Sequence, residues 1–161
     1  MDGVDPKIEG VSVKKLQVHP DSRGRLFEIL RRDDPIFKRF GQAYLTSAYP
    51  GVVKAWHYHK IQTDYFSCLH GAARLVLYDP REGSSTRGNI LEFLLGPENL
   101  LLVTIPPEVY HGFQCISETE ALMLNIPTEP YNQERPDEYR IDESSKDIPY
   151  TWPKIKKEEE F

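Results

Sequence analysis

Cysteine is scarce: the chain has two, Cys68 and Cys115, far apart and both inside apolar stretches. That excludes a disulfide framework, and both residues read as reduced, buried packing groups. No apolar run approaches the ~20 residues of a membrane span. There is no G-x-G-x-x-G and no phosphate loop, so dinucleotide-binding and NTPase folds lose their usual signature. Internal repeats, low-complexity tracts and coiled-coil heptads are also missing. Positive charge is in deficit: Lys+Arg is 20 against Asp+Glu 25, a formal net charge of −5. This argues against nucleic acid and against an anionic membrane surface as partners. A small anionic ligand needs only a local cluster of cations and stays open. The N-terminus, MDGVDPKIEG, is acidic and polar and does not read as a signal peptide, so the cytoplasm is the expected location.

What is present suits one domain. A chain of 161 residues is one domain of ordinary size, with about 1–10 and 154–161 expected as loose ends. Gly (10) and Pro (13) punctuate it at short intervals. Between them lie short runs rich in β-branched and aromatic residues: 11–18, 25–30, 42–47, 52–58, 65–69, 73–78, 90–95, 100–105, 110–116 and 121–126. Such a pattern predicts an all-β sandwich or barrel. One short helix is expected over Asp34–Phe40, with Pro35 at its first position and Gly41 past its end. The last thirty residues are Pro-rich, acidic and irregular, and end in the charge run KIKKEEE, read as a solvated tail.

The segment Gly51–Gly71, GVVKAWHYHKIQTDYFSCLHG, carries chemistry. On an extended strand Val53, Ala55, His57 and His59 share one face, and Val52, Lys54, Trp56 and Tyr58 the other. Two imidazoles beside Val and Ala point into an enclosed space. Asp64 follows in the spacing Gly-x5-His-x-His-x4-Asp-x6-Gly. Much later, Ile105-Pro-Pro-Glu-Val-Tyr-His111 leads into a strand whose inward face carries His111, Phe113 and Cys115. Three histidines and a carboxylate in one cavity make a ligand set for a divalent metal. Without metal, the same groups do proton chemistry near neutral pH.

At these residues the chain resembles the cupin superfamily, a double-stranded β-helix or jelly-roll barrel. Asp64 stands where a glutamate is usual. In the second motif Glu108 replaces a glycine and Cys115 an asparagine. A closer resemblance, to the dTDP-4-dehydrorhamnose 3,5-epimerase family, rests on DSRGRLFE (21–28), GVVKAWHY (51–58), YDPREGSSTRG (78–88), IPPEVYHGF (105–113) and DIPYTWP (147–153). It implies a homodimer whose N-terminal strands cross to the partner, and a nucleotide-activated 4-keto-6-deoxy sugar as substrate. It implies that His57 is the general base, oriented by a C-terminal aspartate, Asp142 or, second, Asp147. Arg23 and Glu28 would reach the nucleotide from the neighbouring subunit. Gln42, Lys54 and His111 would contact substrate, with Arg23 and Lys54 as the cations for a diphosphate.

Two departures stand out. The family's catalytic tyrosine falls at Asn125, and its lysine near the reacting centre at Asp64. Asn125 keeps a place among the substrate contacts, but an amide is no acid. Tyr131, Tyr65 and Tyr110, in that order, are the candidates to replace the phenol. The glutamine two residues after the base is His59 here, so an alternative places a divalent metal on His57, His59, Asp64 and His111. The leading expectation is a cofactor-free epimerase in deoxysugar or polysaccharide synthesis. The alternatives are a metal-dependent isomerase or dioxygenase, and a sugar-binding cupin without catalysis.

Overall fold

A computed structural model describes residues 7–155. Its regular elements are strands: β1 (Ser12–Lys15), β2 (Val18–Asp21), β3 (Gly24–Phe27), β4 (Tyr44–Ala48), β5 (Val53–Tyr58), β6 (Asp64–His70), β7 (Ala73–Tyr78), β8 (Ile90–Leu95), β9 (Leu101–Ile105), β10 (Tyr110–Cys115), β11 (Ala121–Asn125) and β12 (Tyr139–Arg140). They form a jelly-roll sandwich. One five-stranded sheet runs β1-β9-β6-β11-β4, the other β12-β5-β10-β7-β8, and β2-β3 is a separate hairpin. The run 11–18 divides between β1 and the start of β2, and β12 was not anticipated.

Period-two patterning decides what lies between the sheets. Phe66 and Cys68 of β6, Leu75 and Leu77 of β7, Phe113 and Cys115 of β10 and Met123 of β11 share one buried cluster. The strands leave this cluster at its polar end on Asp64, His111 and Asn125, all buried. The interior is therefore graded, apolar at one end and ionisable at the other. Both cysteines are free and buried, as expected.

The outer faces are covered too. Tyr65, Leu100 and Leu102 pack under Leu16, Phe27, Ile29, Leu30 and Ile36. Trp56, Val76 and Ile148 pack with Tyr150 and Trp152, so the irregular C-terminal segment is a cover for one sheet. Ile8, expected in a loose end, is 3% exposed and belongs to the central cluster. Lys154 is exposed as expected; the rest of the charge run, from 156, and residues 1–6 lie outside the described residues.

The helix expected over Asp34–Phe40 is a tight turn instead, closed by Phe37 N–H to the Asp34 carbonyl at 3.0 Å. Its polar groups are committed elsewhere. The Asp34 carboxylate takes Lys14 Nζ at 2.7 Å and Arg31 N–H at 2.8 Å. The Tyr65 hydroxyl donates to the Ile36 carbonyl at 2.7 Å and accepts Lys38 N–H at 3.1 Å. These tertiary bonds replace an i to i−4 ladder, which a seven-residue segment cannot sustain alone.

Candidate active site

A cavity of about 1380 Å³ opens at the polar end of the sandwich. Gln42, Tyr44 and Thr46 line it from the β4 side, and Lys54, His57, His59 and His111 from the opposite sheet. The segment 129–135 and Asp137, Glu138 and Arg140 form its rim.

Strict alternation along β5 predicts Lys54 on the outer face; the structure places it on the cavity wall, still exposed to solvent. β10 pairs with β5 at His111↔His57 and again at Phe113↔Lys54, so the register slips by one residue between them. The bulge turns Lys54 to the same side as His57. Its ammonium lies 3.4 Å from Thr46 Oγ1, on the far wall. Gly112 sits opposite the bulge, where an added Cβ would come within 2.4 Å of Ala55 Cβ. Close approach of two backbones is what requires glycine there.

His57 and the other two histidines have different partners. His57 Nδ1 lies 3.4 Å from Glu138 Oε1, which Arg140 also holds at 2.9 Å. Burial pulls the His57 pKa below the ordinary histidine value, and Glu138 opposes this. The carboxylate beside His57 is thus Glu138, not Asp142. Asp142 is exposed and accepts hydrogen bonds from the Ser144 amide and hydroxyl. Asp147 is exposed as well. Glu138 was missed because its loop has no pattern; β12 brings it in by pairing Arg140 with His57.

His59 Nε2 and His111 Nε2 close on one oxygen, Asp64 Oδ2, at 3.1 and 3.3 Å. The other oxygen, Oδ1, accepts Gln62 Nε2–H at 2.6 Å and Asn125 Nδ2–H at 2.9 Å. His59 Nδ1 meets the Asp137 carbonyl at 2.5 Å, and the Asp137 carboxylate takes the amides of Lys60, Ile61 and Gln62. Burial drives His111 down to about 4, so it is neutral. Burial opposes protonation of His59 too, but Asp64 and the Asp137 carbonyl outweigh it, and its pKa is raised. Burial opposes ionisation of Asp64, yet the two imidazoles and Asn125 hold its pKa below the ordinary value. Three of the four residues named as metal ligands therefore converge, with ligand atoms within 4.8 Å of one another; His57 is outside the group.

The remaining expectations divide. Gln42, Lys54 and His111 line the cavity, as does Tyr131, which is 57% exposed. Asn125 does not reach it. Its amide is fully buried, bonded to Asp64, Tyr44 and the Tyr65 amide. Tyr65 points to the outer cluster, and Tyr110 packs edge-on against Tyr58, so neither serves the cavity. Arg23 and Glu28 pair with Asp21 and Arg31 and lie outside the cavity of their own chain.

An all-β jelly roll whose open end holds a carboxylate-paired histidine, a buried imidazole–carboxylate cluster and an inward lysine is a cupin enzyme by fold and site. The chain belongs to the dTDP-4-dehydrorhamnose 3,5-epimerase family, whose model matches residues 5–160. The spore coat polysaccharide biosynthesis protein SpsL of Bacillus subtilis (strain 168) is 41% identical to it over 145 residues, covering 90% of this chain and 96% of that protein. The crystal structure of a dTDP sugar isomerase from Desulfovibrio desulfuricans G20 superposes with a TM-score of 0.85 at 36% identity, covering 90% of this chain and 92% of that one. That of a dTDP-6-deoxy-D-glucose-3,5-epimerase from Legionella pneumophila Philadelphia 1, in complex with dTDP-4-keto-L-rhamnose, gives 0.81 at 26% identity, covering 92% and 81%. Among the described residues no helix is long and apolar enough to cross a membrane.

Proposed function

We propose that this chain is an epimerase of a dTDP-4-keto-6-deoxyhexose. It inverts a carbon beside the keto group, in the synthesis of a deoxysugar for a surface polysaccharide or glycosylated product. The observation that carries the reading is His57, whose ring lines the cavity with Nδ1 facing Glu138 Oε1 at 3.4 Å, an ion-pair distance without an aligned hydrogen bond. Nε2 is then the nitrogen left for substrate. A C–H beside a carbonyl is acidic enough to lose when the enolate charge is stabilised as it forms. Nε2 takes the proton, the C–H pair moves into the enolate, and the negative charge settles on the keto oxygen. Glu138 stabilises the imidazolium. Lys54 supplies a cation inside the cavity, the role that a lysine at position 64 no longer fills. The carboxylate that replaces it is balanced by His59 and by the amides of Gln62 and Asn125.

Gln42 and His111 contact the sugar, and Arg23 and Glu28 reach the nucleotide from a second copy in a homodimer. The relative that holds dTDP-4-keto-L-rhamnose supports the ligand class. The enzyme is cytoplasmic, where activated sugars are made, and its own side chains suffice without a cofactor. Incubation with dTDP-4-keto-6-deoxyglucose in deuterium oxide tests this. Wild type exchanges the carbon-bound hydrogen, and His57→Asn slows exchange by about a thousandfold, the scale of general-base catalysis. Unchanged exchange in His57→Asn contradicts the base assignment.

A second reading places a divalent cation on His59, Asp64 and His111. It is favoured by Asp64 Oδ2, which is buried, faces two imidazole nitrogens and has no well-aligned hydrogen-bond donor. The donor types fit. Bound there, a cation would polarise a substrate oxygen. His57 stays free as base in either case. Elemental analysis separates the two: near one equivalent of metal, lost in His59→Gln, supports the cation.

A further inference from the structure

The epimerase reading leaves the proton donor unassigned, and the structure points to a residue that no motif marks. Asn125 holds the place of the family's phenol, and its amide is spent. One Nδ2–H goes to Asp64 Oδ1 at 2.9 Å and the other to the Tyr44 hydroxyl at 2.9 Å, while Oδ1 accepts Tyr65 N–H at 3.0 Å. Tyr44 is the direct partner of Asn125 across the β4–β11 ladder. Moving a phenol from one residue to its cross-strand neighbour shifts its point of attachment by only about 5 Å on the same face.

We propose that Tyr44 is the catalytic acid, protonating the enolate from the wall opposite His57, and that Asn125 is its positioning residue. The proposal rests on the epimerase reading. Inversion needs a base on one face of the carbon and an acid on the other. β4 and β5 belong to different sheets, and Tyr44 and His57 both line the cavity between them. Because the Tyr44 oxygen accepts the Asn125 N–H, its own hydrogen has no acceptor among the described residues and is available to a ligand. Burial pushes the phenol up to about 12, so it carries its proton at neutral pH.

The other tyrosines are worse placed. The Tyr65 hydrogen is committed to the Ile36 carbonyl, Tyr110 is outside the cavity, and Tyr131, on the rim, is 57% exposed against 39% for Tyr44. The step balances without a redox partner. The phenol O–H breaks, the enolate pair forms the new C–H, and the resulting phenolate and the His57 imidazolium are reset by proton exchange with water.

The test uses dTDP-4-keto-6-deoxyglucose in deuterium oxide, with hydrogen exchange and net inversion followed separately. Tyr44→Phe keeps exchange within about tenfold of wild type, because His57 still removes and returns the proton on one face. Net inversion falls at least a hundredfold, the scale of acid catalysis. Inversion within threefold of wild type in Tyr44→Phe overturns the assignment, as does separation of exchange from inversion in Tyr131→Phe instead. Should Tyr44→Phe not fold, 3-fluorotyrosine at position 44 keeps the shape and acidifies the phenol. The basic limb of inversion then moves to lower pH, and an unmoved limb overturns the proposal. If wild type neither exchanges nor inverts, the epimerase reading falls and takes the acid with it. An active wild type with an equally active Tyr44→Phe removes the acid alone.

Discussion

His57 and His59 are separated by a single residue, yet their surroundings set them to different tasks. His57 faces one carboxylate at the rim and keeps a nitrogen for the cavity, whereas His59 is held between Asp64 and the Asp137 carbonyl. In the proposed mechanism Glu138 acts through His57, stabilising the imidazolium as it forms. Glu138→Gln keeps the side-chain shape and removes the charge. In Glu138→Gln kcat should fall about 10–100-fold with KM changed little, since the interaction strengthens only in the transition state. A raised KM with kcat intact, in steady-state kinetics with dTDP-4-keto-6-deoxyglucose, would place Glu138 in substrate binding instead. A second residue, Asp79, governs pH stability away from the cavity. It is fully buried and takes Arg81 Nε–H at 2.9 Å and the hydroxyls of Ser84 and Thr86 at 2.6 and 2.7 Å. Burial alone would raise its pKa, but these partners hold it far below the usual carboxylate range. The unfolded chain therefore binds this proton at higher pH than the folded one. The stabilisation is complete above about pH 5 and is lost as pH falls through the carboxylate range and below. Asp79→Asn should cost about 2–4 kcal/mol in urea unfolding at pH 7, because Arg81 loses its charge partner, and less at pH 3.

At the scale of elements, a turn and a bulge build the site. The turn between β9 and β10 puts Glu108 at φ 66°, a left-handed conformation, and sends its N–H to the His59 carbonyl at 2.6 Å. The cupin pattern has glycine there for that reason. Glu108→Gly relieves the strain at some cost in unfolded-chain entropy, for a net gain of about 0.5–1 kcal/mol in chemical denaturation. Gly112→Ala acts in the opposite sense. Its methyl meets Ala55 at the bulge, so β10 and β5 must part and the His57–His111 ring separation of 6.2 Å must widen. The cost is about 1–3 kcal/mol, with activity falling further than stability. These elements also mark what could be read from the chain alone. β7 and β8 were legible to the residue because Gly and Pro turn signals bracket short apolar runs. The inward set His111, Phe113 and Cys115 was legible because its strand keeps a period of two. Lys54 was not, because a bulge inverts alternation and only the partner strand reveals it. Glu138 and Tyr44 were invisible because pairing across strands, not spacing along one, brings them to the cavity. The helix at 34–40 failed because Tyr65, distant in sequence, claims its backbone groups.

Across the whole molecule, a core that is apolar at one end and ionisable at the other explains how one sandwich is both stable and reactive. The outer clusters under the β2–β3 hairpin and the C-terminal segment carry the packing that the site end cannot. Arg23 in the hairpin turn and Glu28 just after it lie away from the cavity of their own chain, so the proposed nucleotide contacts require a second copy. Sedimentation should return twice the 18.7 kDa chain mass, and Arg23→Ala should weaken dTDP binding by about 1–3 kcal/mol, the scale of a charged hydrogen bond. A monomer, or dTDP binding unchanged in Arg23→Ala, would remove that role. The most direct measurement is a crystal structure with a dTDP-linked 4-keto-6-deoxy sugar. The sugar should lie between β4 and β5, with the carbon beside the keto group about 3–3.5 Å from His57 Nε2 and the Tyr44 hydroxyl on its other face. A nucleotide sugar bound with His57 out of reach of that carbon would contradict it.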